Sequence, residues 1–190
     1  MVYPIVAYGH PILKKVAEEI DKDYPDLHKL IEDMYETMYE TVGVGLAAPQ
    51  INKSIRLFVI NTQPFTDDDP EVKPLKKVFI NPRIIEEKGE DEDFKESCLS
   101  LPRLAEYVTR KNKIRLQYYD ENFEFHDEEF DNITARVIQH EYDHLEGILY
   151  VERVSNLAKT LLRSKLRDIE KGKIDPPYKM IFAPGKKKNL

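Results

Sequence analysis

The chain has 190 residues, of which 41% are hydrophobic and 34% charged, and its formal net charge at pH 7 is −6. This composition is that of an ordinary soluble globular domain, and the acidic balance disfavours DNA or another nucleic acid as a general partner. No apolar run approaches the roughly 20 residues that cross a bilayer, and the first residues lack the pattern of a secretory signal, so we expect no membrane contact and a cytoplasmic location.

The first predicted element is an amphipathic helix from about residue 25 to 42. Its apolar residues recur at helical spacing, Pro25 suits its first turn, and Gly43 suits its end. The segment "IRLFVIN" (55–61) predicts a buried strand. A Pro- and Asp-rich loop follows it, "NTQPFTDDDPEVKPL" (61–75).

The middle of the chain predicts strands. "KVFINPRII" (77–85) indicates a second strand, interrupted by Pro82, and "EEKGEDED" (86–93) indicates an acidic surface loop. "KIRLQYY" (113–119) and "FEFHDEEF" (123–130) flank a turn at 120–122 and predict a hairpin.

Two helices are predicted in the last third. Asp131 or Asn132 can cap the first, and Gly147 can end it. The second begins near Ser155 and is followed by Gly172; its predicted apolar side consists of Val154, Leu157, Ala158, Leu161, Leu166 and Ile169. Strands segregated from helices favour an α+β fold. We expect one catalytic domain over residues 1–175 and a flexible basic tail over 176–190.

The segment "RVIQHEYDHLEG" (136–147) contains the pattern H-E-x-x-H, as His140, Glu141 and His144. Residues four apart lie on one face of a helix, so both imidazoles point the same way, along a stripe that begins with Ile133 and Val137. This pattern is typical of a zinc-type hydrolase whose glutamate is the general base. Each residue alone is simply explained by a structural role, but the three together favour a metal site.

Such a centre normally takes three protein ligands, and the known peptidase patterns do not supply the third one here. One pattern ends in a histidine where this chain has Tyr150; another uses a later glutamate, for which Glu152 is too close and Glu170 lies in a basic stretch. The remaining soft ligand is Cys98 in "KESCLSLP", the one cysteine of the chain. A lone cysteine is usually a small buried hydrophobe, but Cys–His–His with one open position is an accepted catalytic set.

A third segment, "GVGLAAPQ" (43–50), lacks the Lys-Ser/Thr of a phosphate loop. A helix end followed by a packing turn is the simplest interpretation of this segment. The functional interpretation is that Gly43 and Gly45 let the backbone approach a ligand while Gln50 supplies a neutral donor.

Together, "GVGLAAPQ", "ESCLS" and "QHEYDHLEG", in this order and at this spacing, resemble the three signature motifs of the peptide deformylases. "AYGHPIL" and "VFINPRI" also resemble that family, so the similarity extends from about residue 3 to 170. The family removes the formyl group from the initiator methionine of new bacterial proteins. The resemblance implies an α+β fold in which short, mainly antiparallel sheets wrap around a central metal-bearing helix, with a C-terminal helix.

The resemblance also implies residue roles. One divalent ion, Fe²⁺ by preference in the family and often replaced by Zn²⁺, Ni²⁺ or Co²⁺, would be held by Cys98, His140 and His144. Glu141 would be the acid/base, and Gln50 and the Leu99 N–H would be oxyanion donors. The implied substrate contacts are Val44, Gly45, Leu99 and Ile133; helical periodicity gives Ile133 the same placement, and core packing is the alternative for the apolar side chains.

One position departs from the family pattern: Ser97 stands where the motif E-G-C-L-S has glycine. A left-handed backbone there would strain a serine by roughly 1–3 kcal/mol. The partners that the resemblance implies are nascent peptides with N-terminal formyl-Met. The basic C-terminal helix could dock on ribosomal RNA, although a solvated face is the simpler interpretation. The rival functions are an H-E-x-x-H peptidase and a metal-binding or ribosome-associated module without turnover.

Overall fold

The computed structural model describes residues 1–66 and 72–184 of the chain. Within these residues the fold is α+β, as predicted. A five-stranded antiparallel sheet has the strand order β2-β3-β4-β5-β6, and a separate parallel pair joins β1 to β7. The strands are β1 (Ile5–Val6), β2 (Gly45–Ala47), β3 (Leu57–Asn61), β4 (Lys76–Cys98), β5 (Leu101–Tyr119), β6 (Phe125–Asp131) and β7 (Met180–Ile181). The helices are α1 (Leu27–Glu40), α2 (Asn132–Leu145) and α3 (Asn156–Glu170).

Helix α1 forms where the apolar periodicity predicted it, and its buried side chains include Leu27, Leu30, Ile31, Met34 and Met38. Its end differs from the prediction by one residue. Val42, not Gly43, takes the left-handed conformation with φ 58°. The Val42 N–H donates to the Tyr39 carbonyl and the Gly43 N–H to the Met38 carbonyl, which is the usual closing pattern of a helix. A β-branched residue therefore holds a position that normally takes glycine.

Strand β4 is much longer than predicted, because it runs for 23 residues through Pro82 and through the segment 86–93. The prediction that 86–93 is a loop was wrong. Its charged side chains lie on a ribbon paired with β5, where opposite charges face each other, as in Glu86 opposite Arg115. Gly89, at φ 82°, lies within a register shift between Lys88 and Asp91. The glycine therefore forms an irregularity within the strand and does not end it.

The predicted hairpin at 113–130 is confirmed: β5 and β6 pair antiparallel from Lys113 opposite Asp131 to Tyr119 opposite Phe125. The predicted loop at 61–75 contains a 3-10 turn, Gln63–Thr66. Residues 67–71 of that loop lie outside the described residues.

Helix α2 lies against the sheet and buries Ala135, Val137, Ile138 and Leu145 in a cluster that includes Phe58 and Phe79. It ends as predicted, with Gly147 at φ 70° and the Ile148 N–H donating to the Asp143 carbonyl. The packed apolar side of α2 fixes its rotation. The side that carries Val137 at its edge therefore turns the histidines towards the turn between β4 and β5.

Helix α3 begins after Ser155, whose hydroxyl accepts a hydrogen bond from the Ala158 N–H. The predicted apolar side was partly wrong, since Leu157 and Leu161 are 71% and 70% exposed. The buried residues of this helix are Ala158, Leu162 and Ile169.

The proposed boundary at residue 175 and the flexible tail after it stay predictions, and residues 185–190 lie outside the described part of the chain. Within 176–184, Met180 and Ile181 pair in parallel with Ile5 and Val6. None of the described helices is both long and apolar enough to span a membrane.

Candidate active site

The predicted site residues lie together in and around one cleft of about 710 Å³, a volume in the range of ligand-binding pockets. The cleft is bounded by the segment before and within β2, the β4–β5 turn, one side of α2, and Pro177 and Tyr178. Among the lining residues are Val44, Gly45, Gln50, Cys98, Leu99, Ile133, His140 and Glu141. His144 lies beneath them, with Nε2 3.3 Å from Cys98 Sγ.

Cys98, His140 and His144 can hold a metal ion, because one ligand atom from each lies within 4.8 Å of the other two. Ligands around one tetrahedral ion, with bonds of about 2.0–2.3 Å, lie roughly 3.5 Å apart. The soft thiol and two imidazoles are the donor set that zinc-like divalent ions accept. Both the spacing and the chemistry of the three residues therefore fit a divalent ion.

His140 is held by Glu96, whose Oε2 lies 2.8 Å from His140 Nδ1. This contact fixes the ring and leaves Nε2 for the metal side, as carboxylates do for many metal-binding histidines. Burial opposes protonation of His140, but Cys98 and Glu96 raise its pKa well above the usual value. Burial lowers the pKa of His144 well below the usual value. A metal ion held by His140 would therefore have to displace a proton.

Glu96 belongs to a buried charge network that continues through the protein. Arg110 donates to both Glu96 oxygens, at 2.7 and 3.0 Å, and to Asp143 at 2.7 Å. Asp143 in turn accepts a hydrogen bond from Arg153 at 2.6 Å. Burial alone would raise the pKa of Glu96, but hydrogen bonds from His140 and Arg110 hold it well below its usual range. A chain of ion pairs thus connects the partly exposed Arg153 to His140.

Glu141 is 4% exposed, and its Oε2 has no hydrogen-bond partner among the described residues. Burial raises the pKa of its carboxyl to about 7. The space for this carboxylate depends on Gly45, since a Cβ added there would lie 2.4 Å from Glu141 Oε1. Gly45 is therefore needed because a larger residue would collide with the Glu141 carboxylate, and not for its backbone conformation, since its φ is outside the left-handed range.

Gln50 is 1% exposed and its amide orientation is fixed. Oε1 accepts the Ala47 N–H at 2.8 Å, which directs Nε2 towards Cys98 Sγ at 3.5 Å and Ser100 Oγ at 3.4 Å. The amide therefore presents a donor to the centre of the cleft.

The departure at Ser97 does not strain the backbone. Positive φ occurs at seven described non-glycine residues, and Ser97 is not one of them. Ser97 is exposed and pairs with Ala105, next to a register shift of the β4–β5 hairpin. Tyr150, which occupies the position of a third histidine, stacks on the His140 ring at a centroid distance of 6.0 Å.

Sequence reasoning missed three features of this site. Glu96 was quoted only as part of "ESCLS", although its place two residues before Cys98 on a strand puts both side chains on one face. Arg110 and Asp143 carried no local signal, because their pairing depends on the packing of β5 against α2. Tyr178 lies far along the chain, and nothing near it in sequence connects it with the cleft.

A buried H-E-x-x-H helix beside a cysteine-bearing turn, in an α+β fold, defines a metal-dependent hydrolase. The family model described as polypeptide deformylase matches residues 2–160. The chain therefore belongs to the polypeptide deformylase family. It is a hydrolase that removes the N-formyl group from newly made polypeptides, as the sequence motifs predicted.

Individual relatives agree with this assignment. A peptide deformylase of Christiangramia forsetii is 52% identical over 98% of this chain and 99% of its own length. A crystal structure of a peptide deformylase from Legionella pneumophila is similar with a TM-score of 0.78 and 32% identity, covering 93% of this chain and 100% of that one. The peptide deformylase of Thermotoga maritima gives a TM-score of 0.71 and 40% identity, covering 82% and 99%.

Proposed function

We propose that Cys98, His140 and His144 bind one divalent ion and that Fe²⁺ is the physiological one, with Zn²⁺, Ni²⁺ or Co²⁺ able to replace it. The spacing of the three ligand atoms supports the site, and the family resemblance supports the choice of iron. When bound, the ion supplies Lewis acidity towards the formyl oxygen and the reacting water. The thiolate of Cys98 reduces the net charge of the centre, which is a physical reason for the identity of the metal to matter.

Glu141 is the acid/base of the proposed reaction. Its free Oε2 and its raised pKa suit a carboxyl that takes a proton and returns it near neutral pH. It accepts a proton from the water whose oxygen bonds to the formyl carbon. It then gives a proton to the departing amine nitrogen as the C–N bond breaks, so that the products are formate and a free N-terminus.

Gln50 and the backbone N–H of Leu99 are the proposed oxyanion donors. The Ala47 N–H keeps the Gln50 amide turned so that its Nε2 faces the cleft. Fixed donors of this kind stabilise developing negative charge without reorganisation, and removing one typically costs about 3–4 kcal/mol of activation free energy.

The substrate is proposed to lie as an extended chain against β2. This strand is at the edge of the five-stranded sheet, and an edge strand can pair with an extended peptide. Gly45 lies in that strand and Val44 directly before it. Leu99 and the half-buried Ile133, on the His140 side of α2, line the apolar part of the cleft that would take the methionine side chain.

The observation that supports these roles is the buried Glu141, whose Oε2 has no hydrogen-bond partner among the described residues, beside three residues whose ligand atoms fit a metal. Replacing Glu141→Gln should keep the metal and abolish formate release from a formyl-Met peptide. The matched control, Glu90→Gln on the exposed ribbon, should keep both. Cys98→Ala should lower the metal content measured by elemental analysis. Retained turnover in Glu141→Gln, or unchanged metal in Cys98→Ala, would contradict the assigned roles.

We also propose that the protein is cytoplasmic and that α3 contacts the ribosome. The exposed side of α3 carries Leu157 and Leu161 together with basic side chains, namely Lys159, Arg163, Lys165 and Arg167, and Lys171 follows directly after the helix. Such a surface suits RNA phosphates and should bind less tightly as salt rises. Co-sedimentation with ribosomes should fall on raising salt and on replacing Arg163 and Arg167 by Glu. Salt-independent co-sedimentation would argue against RNA contact.

A further inference from the structure

The turn that joins β4 to β5 is held from two sides by distant parts of the chain. It contains Leu99 and Ser100, directly after Cys98. The Ser100 carbonyl accepts a hydrogen bond from the Tyr8 N–H at 2.9 Å. The Leu99 carbonyl accepts one from the Tyr178 hydroxyl at 2.8 Å. Both carbonyls of this turn are therefore satisfied by groups outside the hairpin.

Tyr178 reaches the turn because the segment after α3 is anchored beside the N-terminal strand. The Ile5 N–H donates to the Lys179 carbonyl at 2.9 Å, and the Ala7 N–H to the Ile181 carbonyl at 2.8 Å. Pro177 and Tyr178 thereby become part of the cleft wall. The match to the family model covers residues 2–160, so this wall lies outside the matched segment.

The surroundings of Tyr178 suit a permanent donor. Its ring is half-buried and packs on the same apolar cluster as Leu99. Burial raises the pKa of its phenol above the usual value, so the hydroxyl keeps its proton at neutral pH. Because one side chain both donates to Leu99 and bounds the cleft, its loss would free the turn and open the wall together.

We propose that Tyr178 is a positioning residue for deformylation: its hydroxyl fixes the Leu99 turn, and its ring closes the cleft against the substrate. The proposal rests on the proposed role of the Leu99 N–H as an oxyanion donor. A donor that acts in the transition state affects kcat, whereas a wall that contacts bound substrate also affects KM. The two parts of Tyr178 should therefore separate kinetically.

The test uses the full-length metal-loaded protein with a formyl-Met peptide. Tyr178→Phe removes the hydroxyl alone and should lower kcat by about 3- to 10-fold, the effect of one hydrogen bond, with KM nearly unchanged. Tyr178→Ala should lower kcat at least as far and also raise KM. The matched control, Tyr107→Phe on the exposed side of the same ribbon, should change neither.

A second readout does not depend on turnover. Hydrogen exchange over residues 97–101 should be faster in Tyr178→Phe than in the wild type, with the same metal content and melting temperature. If the wild type releases formate but Tyr178→Phe has wild-type kcat and exchange, the proposal is overturned. If Tyr178→Phe has faster exchange but wild-type kcat, the hydroxyl holds the turn and the proposed oxyanion role of the Leu99 N–H fails instead. Unchanged exchange overturns the hold on the turn whatever the value of kcat.

Discussion

Replacing Gly45→Ala should reduce deformylase activity by about 100-fold while leaving the fold and the metal site in place. The added Cβ would lie 2.4 Å from Glu141 Oε1 and 2.8 Å from its Cγ and Cδ. An ordinary contact needs about 3.4 Å, so the Glu141 carboxylate must move by roughly 1 Å. A displacement of about 1 Å in a catalytic group can cost roughly 100-fold in rate.

The assay is formate release under anaerobic conditions, together with metal content and thermal unfolding of each variant. The control Gly172→Ala strains a left-handed backbone, at φ 64°, outside the cleft. It should lower the melting temperature without lowering kcat. If Gly45→Ala keeps more than a third of wild-type kcat with wild-type metal, Glu141 does not depend on the room that Gly45 provides.

Three further predictions follow from the buried charges and from the end of α1. Glu96→Gln should weaken metal binding by roughly 10- to 100-fold in a chelator competition. Wild-type affinity of this variant for the metal would show that Glu96 does not orient His140. The same substitution should lower the free energy of unfolding by about 3–5 kcal/mol, because Arg110 stays buried with one partner lost. Val42→Gly should raise the free energy of unfolding by about 1 kcal/mol in denaturant titrations, because Val42 has a left-handed backbone and its side chain is 91% exposed. A free energy of unfolding below that of the wild type would show that the Val42 side chain stabilises the fold. The pKa of Glu96 is lower in the folded than in the unfolded protein, so its contribution to the stability of metal-free protein should be complete above about pH 4.5 and decline below that pH. Between pH 5 and pH 3 the wild type should therefore lose more free energy of unfolding than Glu96→Gln. Equal losses would contradict this prediction.

The parts of the molecule that the sequence predicted well are those that local patterns determine. The apolar periodicity of α1 appears in its buried residues, α2 ends at the predicted Gly147, and the turn residues at 120–122 lie between β5 and β6. Eight of the nine predicted site residues came from three short motifs, and Ile133 came from helical periodicity and the family resemblance; the structure brings all nine together at one cleft. Their individual roles stay predictions.

The features that could not be predicted depend on partners far away in sequence. The segment 86–93 is acidic and contains a glycine, yet it is a strand because β5 supplies a paired edge and opposite charges. Leu157 and Leu161 fit a helical apolar face, but the helix turns Ala158 and Leu162 inward. Tyr178 approaches Leu99 because β7 pairs with β1. Each of these strands has only two residues, which is too short for a recognisable sequence pattern.

The most direct test of the account is the fate of a formyl-Met-Ala-Ser peptide incubated with anaerobically prepared, metal-loaded protein. Formate and peptide N-termini are measured together, for the wild type and for Glu141→Gln. We expect one formate and one free amine for each peptide consumed by the wild type, with the internal peptide bonds intact, and no conversion by metal-loaded Glu141→Gln. Cleavage of an internal bond, or equal conversion by both proteins, would contradict the assigned activity and the role of Glu141.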